Sequence, residues 1–431
     1  MYKKGQWYAM KGAIKILKIY MLRLFMRVLY VFPIKNNRII FSSYRGQQYS
    51  CNPKYISQTL LELYPKNFEV IWAFNEPDKF RYLEKQGIIL VKFNSLKRFY
   101  YEATAKVSIN NIGSFSWLPL RKDQEHINTW HSGLDLENCG INEPENDIIT
   151  RYTIRLSGKE TTLFLSANRV FSDYSVKVQF GYYGMMLNCG LPRGDNLINE
   201  KSETIRKRVR NSFNIDEKDI VVMYAPTWRY GGAKDMPKMD YIQLSNSLKK
   251  RFGSEFVIWN RSHHLSKDAR IIGDEHLMDV TNYSDIQELV ISCDILISDY
   301  SSVIWDGALG RKYVIQYAPD AQKFEKDRGL YVPVGKWCIP AIMTMEDLCN
   351  YLSNINFSKE LEYSKNLLDM MGSYETGCSS EICCRWIADK CFGTHDENSI
   401  YLPYLSKTTD SLDYTLIEKL NSQESLITKE I

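Results

Sequence analysis

The sequence predicts an α/β protein of two similar halves, each a parallel sheet flanked by helices, and three observations carry that prediction. Short apolar runs ending in turn residues alternate with amphipathic helical stretches from about Arg38 onward. At 431 residues the chain has room for two cores. The stretch Cys293 to Leu309 joins an apolar run, Ile295-Leu-Ile297, to a helical pattern through a polar elbow, Asp299-Tyr-Ser-Ser302. An apolar run of this kind suits a strand buried on both faces. Ser301 and Ser302 stand where the helix begins, so they serve either as an ordinary cap or as the seat of a phosphate beside unpaired N–H groups.

Residues 1–34 are the one region where charge is organised. Lys11, Lys15, Lys18, Arg23 and Arg27 interrupt the apolar run too often for a helix that spans a bilayer. At 3.6 residues per turn, Ile14, Leu17, Tyr20, Met21, Leu24, Phe25, Val28 and Val31 share one face, with the basic residues on the remainder. The segment reads as a basic amphipathic helix lying in an anionic membrane surface, closed by Pro33. A helix packed on the protein's own core is the other reading. No small-residue cleavage site follows the apolar run, which argues against a secretory signal.

Residues 35–198 form the expected first half. Strands are predicted at Arg38–Phe41, Phe68–Phe74, Ile88–Phe93, Val107–Ile109, His126–Trp130 and Phe164–Ala167, with a helix from Pro53 to Leu63. The charged segment Asn199 to Lys218 reads as a helix near the boundary. The second half, 199–395, restarts with strands at Ile220–Ala225, Phe256–Trp259, Met278–Val280, the opening stretch and Tyr313–Tyr317. The remaining 396–431 is a polar tail without strong periodicity.

Composition removes several functions. Fifty-five Lys and Arg against 51 Asp and Glu leave a net charge of only +4, and the aromatic residues form no basic platform, so no nucleic-acid partner is expected. Ten cysteines at irregular spacing give neither a zinc site nor a disulfide framework. No P-loop motif occurs, and no D-x-D pair stands at a strand end to hold a metal on a pyrophosphate. A nucleotide diphosphate must then be neutralised by hydroxyls, helix N–H groups, His and Arg.

Those residue types cluster at predicted strand ends, where an α/β sheet presents ligands. The clusters are Thr129-Trp-His131, Arg193-Gly-Asp195, Pro226-Thr-Trp-Arg229, Arg261-Ser-His263 and Asp299-Tyr-Ser-Ser302. A histidine after a strand is either a satisfied core residue or a general base, because an imidazole takes a hydroxyl proton at neutral pH. Arg229, Arg261 and Arg328 pair either with phosphate oxygens or with neighbouring carboxylates.

Taken together with Gly190-Leu-Pro-Arg-Gly-Asp195, Asp279 to Ile286, Tyr317-Ala-Pro-Asp320 and Arg328-Gly-Leu-Tyr331, the ordered set resembles the CDP-glycerol glycerophosphotransferase family of teichoic-acid and capsule polymerases and primases. The resemblance runs from about residue 38 to 335. It implies a GT-B architecture, two Rossmann-like domains facing a cleft, with the first taking the acceptor and the second holding the donor nucleotide. His131 then corresponds to the base that deprotonates the acceptor hydroxyl, and His263 to a histidine beside the donor pyrophosphate. Ser301, Ser302, Thr227, Arg261, Asp299 and Arg328 correspond to positions around the donor phosphates, Asp299 either touching the donor or orienting the elbow. The implied reaction moves glycerol phosphate, or a related polyol phosphate, from a CDP-activated donor to a hydroxyl of a lipid-linked cell-wall or capsular polymer and releases CMP. CDP-glycerol, or a related CDP-polyol, is a co-substrate, no tightly bound cofactor is implied, no metal-ligating residues are assigned and a metal requirement is left open, and the expected location is peripheral, at the cytoplasmic face of the cell membrane. A GT-B glycosyltransferase using a nucleotide sugar, and a non-catalytic nucleotide-binding subunit, share parts of this pattern. One departure stands out: many family members follow Trp-His with Gly and then a Lys, whereas Ser132 to Asn138 has no Lys and carries Asp135 and Glu137.

Overall fold

The computed structural model describes residues 2–113, 115–229, 232, 235–261, 275–393, 399–408, 412, 414–423 and 425–426, with side chains from residue 11 onward. Its first sheet holds β1 (Lys35–Ser42), β2 (Glu69–Phe74), β3 (Ile89–Lys92), β4 (Ala105–Asn110), β5 (Glu125–Asn128), β6 (Leu163–Leu165) and β7 (Met185–Leu187). The second holds β8 (Ile220–Ala225), β9 (Phe256–Asn260), β10 (Leu277–Asp279), β11 (Ile295–Ser298), β12 (Tyr313–Tyr317) and β13 (Ala341–Ile342), and β14 (Leu405–Lys407) returns to the first. The helices that shape the site are α1 (Tyr2–Val28), α2 (Cys51–Leu63), α3 (Ile148–Lys159), α4 (Ile286–Ser292), α5 (Val303–Leu309) and α6 (Ser379–Phe392).

The two sheets repeat one topology. The first runs β14-β7-β6-β5-β4-β1-β2-β3 and the second β10-β9-β8-β11-β12-β13. Numbered within each half, both have the doubly wound order 3-2-1-4-5-6, whose direction reverses between the first and fourth strands. The apolar runs follow from this wrapping: Val70 through Phe74 of β2 and Ile295 through Ile297 of β11 are wholly buried because helices cover both faces. At the reversal in the second sheet, Ser298 of β11 lies level with Ala225 of β8. The loops that leave both strands therefore open into one crevice.

The C-terminal part departs from the expected division. α6, placed by sequence in the second half, packs against α2, β1 and β4 of the first. Asp195 fixes that crossing, since its two carboxylate oxygens accept the backbone N–H groups of Ser379 and Ser380 at 2.8 Å each. Cys383, Cys384, Trp386 and Ile387 then complete the core that includes Ile56 and Leu60. The tail is not merely polar, for β14 pairs antiparallel with β7 at the sheet edge.

Polar contacts also join the halves directly. Arg193 Nη2 lies 2.8 Å from Asp306 Oδ1 on α5, both groups buried, and Gln287 Nε2 donates to the second carboxylate oxygen at 3.2 Å. Lys54 and Tyr55 of α2 donate to Asp285, the residue that caps α4. Gly133 approaches so closely that a Cβ there would meet the Trp305 ring at 2.1 Å.

The leader is helical and lies along α3. Gly12 permits the approach, because a Cβ would sit 3.0 Å from Ile149. Lys15 Nζ donates to Thr150 Oγ1 at 3.1 Å, the Tyr20 and Tyr152 hydroxyls meet at 2.6 Å, and Arg23 pairs with Glu160 at 2.5 Å. Met26 is buried with Ala103 and Leu118. Leu17, Met21, Leu24, Val28 and Val31 point away and are exposed, whereas Ile14, also exposed, lies on the cavity side. No helix among the described residues is long and apolar enough to cross a membrane.

Removing one partner of the Arg193–Asp306 pair leaves an uncompensated buried charge, which costs about 3–5 kcal/mol. Asp306→Ala is expected to lose stability of that order in urea unfolding, and Arg193→Met with Asp306→Leu to recover most of it. A single variant within about 1 kcal/mol of the parent protein contradicts the role given to the pair.

Candidate active site

The first wall of the site is the loop after β5. Asn110 and Asn128 are register partners at the ends of β4 and β5, so the loops that follow run side by side. Thr129 N–H donates to the Asn110 carbonyl at 2.9 Å, and Trp130 N–H to Asn128 Oδ1 at 2.9 Å. Trp130 takes a positive φ of 48°, a conformation costly for a bulky residue. Asn52 holds it there, donating Nδ2 to the carbonyls of Thr129 at 3.1 Å and Trp130 at 2.9 Å and accepting Arg193 N–H at 3.0 Å.

This turn delivers His131. Its Nδ1 lies 2.7 Å from the Asn111 carbonyl oxygen, which only accepts, so Nδ1 carries the proton and Nε2 keeps the lone pair. The ring is enclosed on most sides but retains an accessible edge on the cavity. Burial lowers its pKa to about 4, against the Asn111 hydrogen bond and with help from the positive charge of Arg193. At neutral pH His131 is therefore an unprotonated acceptor.

The second wall is the elbow at the β8/β11 reversal, and Asp299 organises it. One carboxylate oxygen accepts the N–H groups of Thr227 at 2.8 Å and Tyr300 at 2.7 Å; the other accepts Arg229 Nη2 at 2.8 Å. Arg229 is held in turn by Asp320 at 2.8 Å, and Gln316 Nε2 donates to the Asp299 carbonyl at 2.8 Å. Ser301 Oγ accepts Val303 N–H at 3.3 Å at the start of α5, while Ser302 makes no side-chain cap. Thr227 Oγ1 is buried with no partner among the described residues, a polar atom left for a ligand.

The two walls face one cavity of about 1210 Å³, lined by His131, Thr227, Ser301, Ser302 and Arg328. Two expected phosphate ligands are not in it. Asp299 is only 1 % exposed and its carboxylate is taken up by the elbow, which is the orienting role of the two that the sequence left open. Arg261 spends Nη1 on the carbonyls of Val280, Thr281 and Tyr283 at 2.5–2.7 Å and ties the loop after β10, three clustered acceptors satisfying its charge there. Arg328 lines the cavity but spans the cleft to Glu143 at 3.3 Å and Glu137 at 3.6 Å. Glu137, noted in sequence as a departure, is thus half of a pair between the halves. His263 lies outside the described residues. Among those residues no group of three or more His, Cys, Asp or Glu could hold a metal ion.

Sequence patterns passed over Asn52, Asp306 and Glu375. Glu375 accepts Trp305 Nε1 and Leu191 N–H at 3.0 Å each, and burial pushes its pKa up to about 8. Their partners are more than a hundred residues away or on another element, a relation that no local spacing records, although the ordered clusters did include Arg193.

A tautomer assignment has a direct readout. Because burial disfavours the imidazolium, the folded-state pKa of His131 lies below the ordinary 6.5 and the ring stays neutral down to about pH 4. Nitrogen chemical shifts of labelled histidine, assigned by loss of the signal in His131→Asn, should show the Nδ1–H tautomer unchanged from pH 8 to about 5. A titration centred near 6.5 contradicts the enclosed geometry.

The family model described as CDP-Glycerol:Poly(glycerophosphate) glycerophosphotransferase matches residues 24–389. A teichoic acid poly(glycerol phosphate) polymerase of Bacillus spizizenii is 28% identical over 371 residues, covering 82% of this chain and 93% of that one. A polymerase of the same description from Staphylococcus epidermidis is 30% identical over 371 residues, 79% of this chain, which spans only 47% of that longer protein. The wall teichoic acid polymerase TagF, in a variant form, superimposes with a TM-score of 0.73 at 25% identity, over 89% of this chain and 97% of that one. With the match extending through both halves and both walls of the cleft, the chain belongs to the CDP-glycerol:poly(glycerophosphate) glycerophosphotransferase family of transferases.

Proposed function

We propose that this chain transfers glycerol phosphate from CDP-glycerol to the terminal hydroxyl of a teichoic-acid-type polymer, with His131 as general base. The observation that carries the reading is a single cavity with an unprotonated histidine on one wall and hydroxyls at a helix start on the other. The acceptor oxygen attacks the phosphorus that bears glycerol, the bond to CMP breaks, and the acceptor proton passes to Nε2 of His131. A depressed pKa does not defeat such a base, because the hydroxyl becomes acidic as its oxygen bonds to phosphorus. Ser301, Ser302 and the unpartnered Thr227 hydroxyl supply donors for the phosphate oxygens, and Arg328 supplies charge when phosphate competes with Glu137 and Glu143. Family correspondence assigns His263 to charge on the departing CMP. Glycerol is preferred to other polyols on the family's description.

The acceptor is proposed to be lipid-linked and the protein to work at a membrane surface. The support is the outward row on α1, in which Leu17, Met21, Leu24 and Val28 are each more than half exposed and no described residue covers them. Arg23 does not contribute to lipid binding, being spent on Glu160 and the Ser116 carbonyl.

Purified protein given CDP-glycerol and a poly(glycerol phosphate) primer should release CMP, with UDP-sugars inert. His131→Ala should lower the rate at least about a hundredfold without unfolding the chain. Release from UDP-sugars alone, or full turnover by His131→Ala, refutes the assignment. For the membrane, Leu17→Glu with Met21→Glu and Leu24→Glu should move the protein from vesicle pellet to supernatant while Met26 keeps the helix docked; unchanged sedimentation refutes that part.

A further inference from the structure

The basic residues of α1 do not share one destination. Lys11, Lys15 and Lys18 fall along a single edge of the helix, at spacings of four and three residues, and all three line the cavity that also holds His131, Ser301 and Ser302. Arg27 stands on the opposite flank and does not line it. With 1.5 Å of rise per residue, the lysine edge extends for about 10 Å. The apolar row faces away from the protein, so a bilayer that received it would leave this edge at the level of the headgroups, with the cavity opening beneath.

We propose that the Lys11–Lys15–Lys18 edge is the entry track for the acceptor, a polyanionic phosphodiester chain that passes under α1 and presents its terminal hydroxyl to His131. The proposal rests on the transfer reading above and adds the acceptor's route to it. Charge along the cavity agrees. All three lysines are solvent-exposed, and Lys18 makes no ion pair among the described residues. Among the described residues Lys15 donates to a neutral hydroxyl, with the exposed Asp147 nearby already capping α3 through Thr150 N–H. The acids deeper in the cavity do not repel an anion at full strength: Arg328 pairs with both Glu137 and Glu143 and offsets one of their two charges, and Asp135 accepts Trp130 Nε1 at 3.0 Å while burial pushes its pKa up to about 7. A membrane contact alone gives these lysines no reason to line the catalytic cavity. An acceptor track does.

The test is binding of fluorescent oligo(glycerol phosphate) to the full chain, followed by anisotropy, in the parent protein, in Lys11→Gln/Lys15→Gln/Lys18→Gln, and in Arg27→Gln as control. The triple variant should bind at least about tenfold more weakly and lose most of the salt dependence, since three cationic contacts are removed. Arg27→Gln should bind as the parent does. In turnover, the KM for the oligomer should rise while kcat and the KM for CDP-glycerol hold. Equal oligomer affinity in parent and triple variant overturns the proposal, and so does a loss confined to anionic vesicles, which would make the lysines membrane contacts. Binding needs no turnover, so a parent protein that binds the oligomer tightly through these lysines but releases no CMP would sink the transfer reading and leave the track standing.

Discussion

The buried contact between Arg193 and Asp306 sets the geometry on which the rest depends. Arg193 belongs to the segment that also supplies Asp195, and its backbone N–H ends on Asn52, the residue that pins the turn carrying His131. Asp306 lies on α5, whose first turn follows Ser301 and Ser302. One guanidinium therefore fixes the His131 loop of the first half against the helix of the second that follows Ser301 and Ser302. Gly133 against Trp305, and Trp305 against Glu375, repeat the constraint through packing. A base and a donor seat on separate domains are useful only at a fixed separation, because misplacement of reacting groups by an ångström costs orders of magnitude in rate.

The elbow in the second sheet shows how a polar site is kept rigid without spending its ligand-binding groups. Asp299 and Arg229 are buried and satisfied almost wholly by one another, by Asp320 and by backbone N–H groups. The Thr227 hydroxyl and the Ser301 and Ser302 side chains are left on the cavity side. Preorganisation of this kind places donors before charge develops on the phosphate, which is where electrostatic catalysis gains most. Arg328 is different in kind, since its contacts to Glu137 and Glu143 reach across the cleft. A ligand that drew Arg328 away from those acids, as the proposed donor would, would thereby alter how the two halves meet.

Much of this was legible from residues alone, and for physical reasons. Doubly covered parallel strands must be apolar runs, so Ile220–Ala225 and Tyr313–Tyr317 were read with the bounds observed. Loops at carboxyl ends carry the polar clusters, so His131, Thr227, Ser301, Ser302 and Arg328 converge as their positions suggested. What sequence does not encode locally is direction. Asp299 and Arg261 sit at strand ends like the others but turn into the protein, toward backbone N–H groups and carbonyls respectively. The crossing of α6 depends on Asp195 reaching residues 379 and 380, a contact across more than 180 positions. β14 has only three residues at an edge, too short for alternation to register.

With the proposed base on one wall and the proposed donor seat on the other, the two functions must separate. Calorimetric titration of CDP-glycerol into His131→Asn and into Ser301→Ala/Ser302→Ala measures that separation directly. His131→Asn should bind the donor as tightly as the parent protein, whereas the double serine variant should bind at least about tenfold more weakly, the loss of roughly 1.4 kcal/mol. Weakened donor binding in His131→Asn with unchanged binding in the serine variant would contradict the division of labour between the two halves.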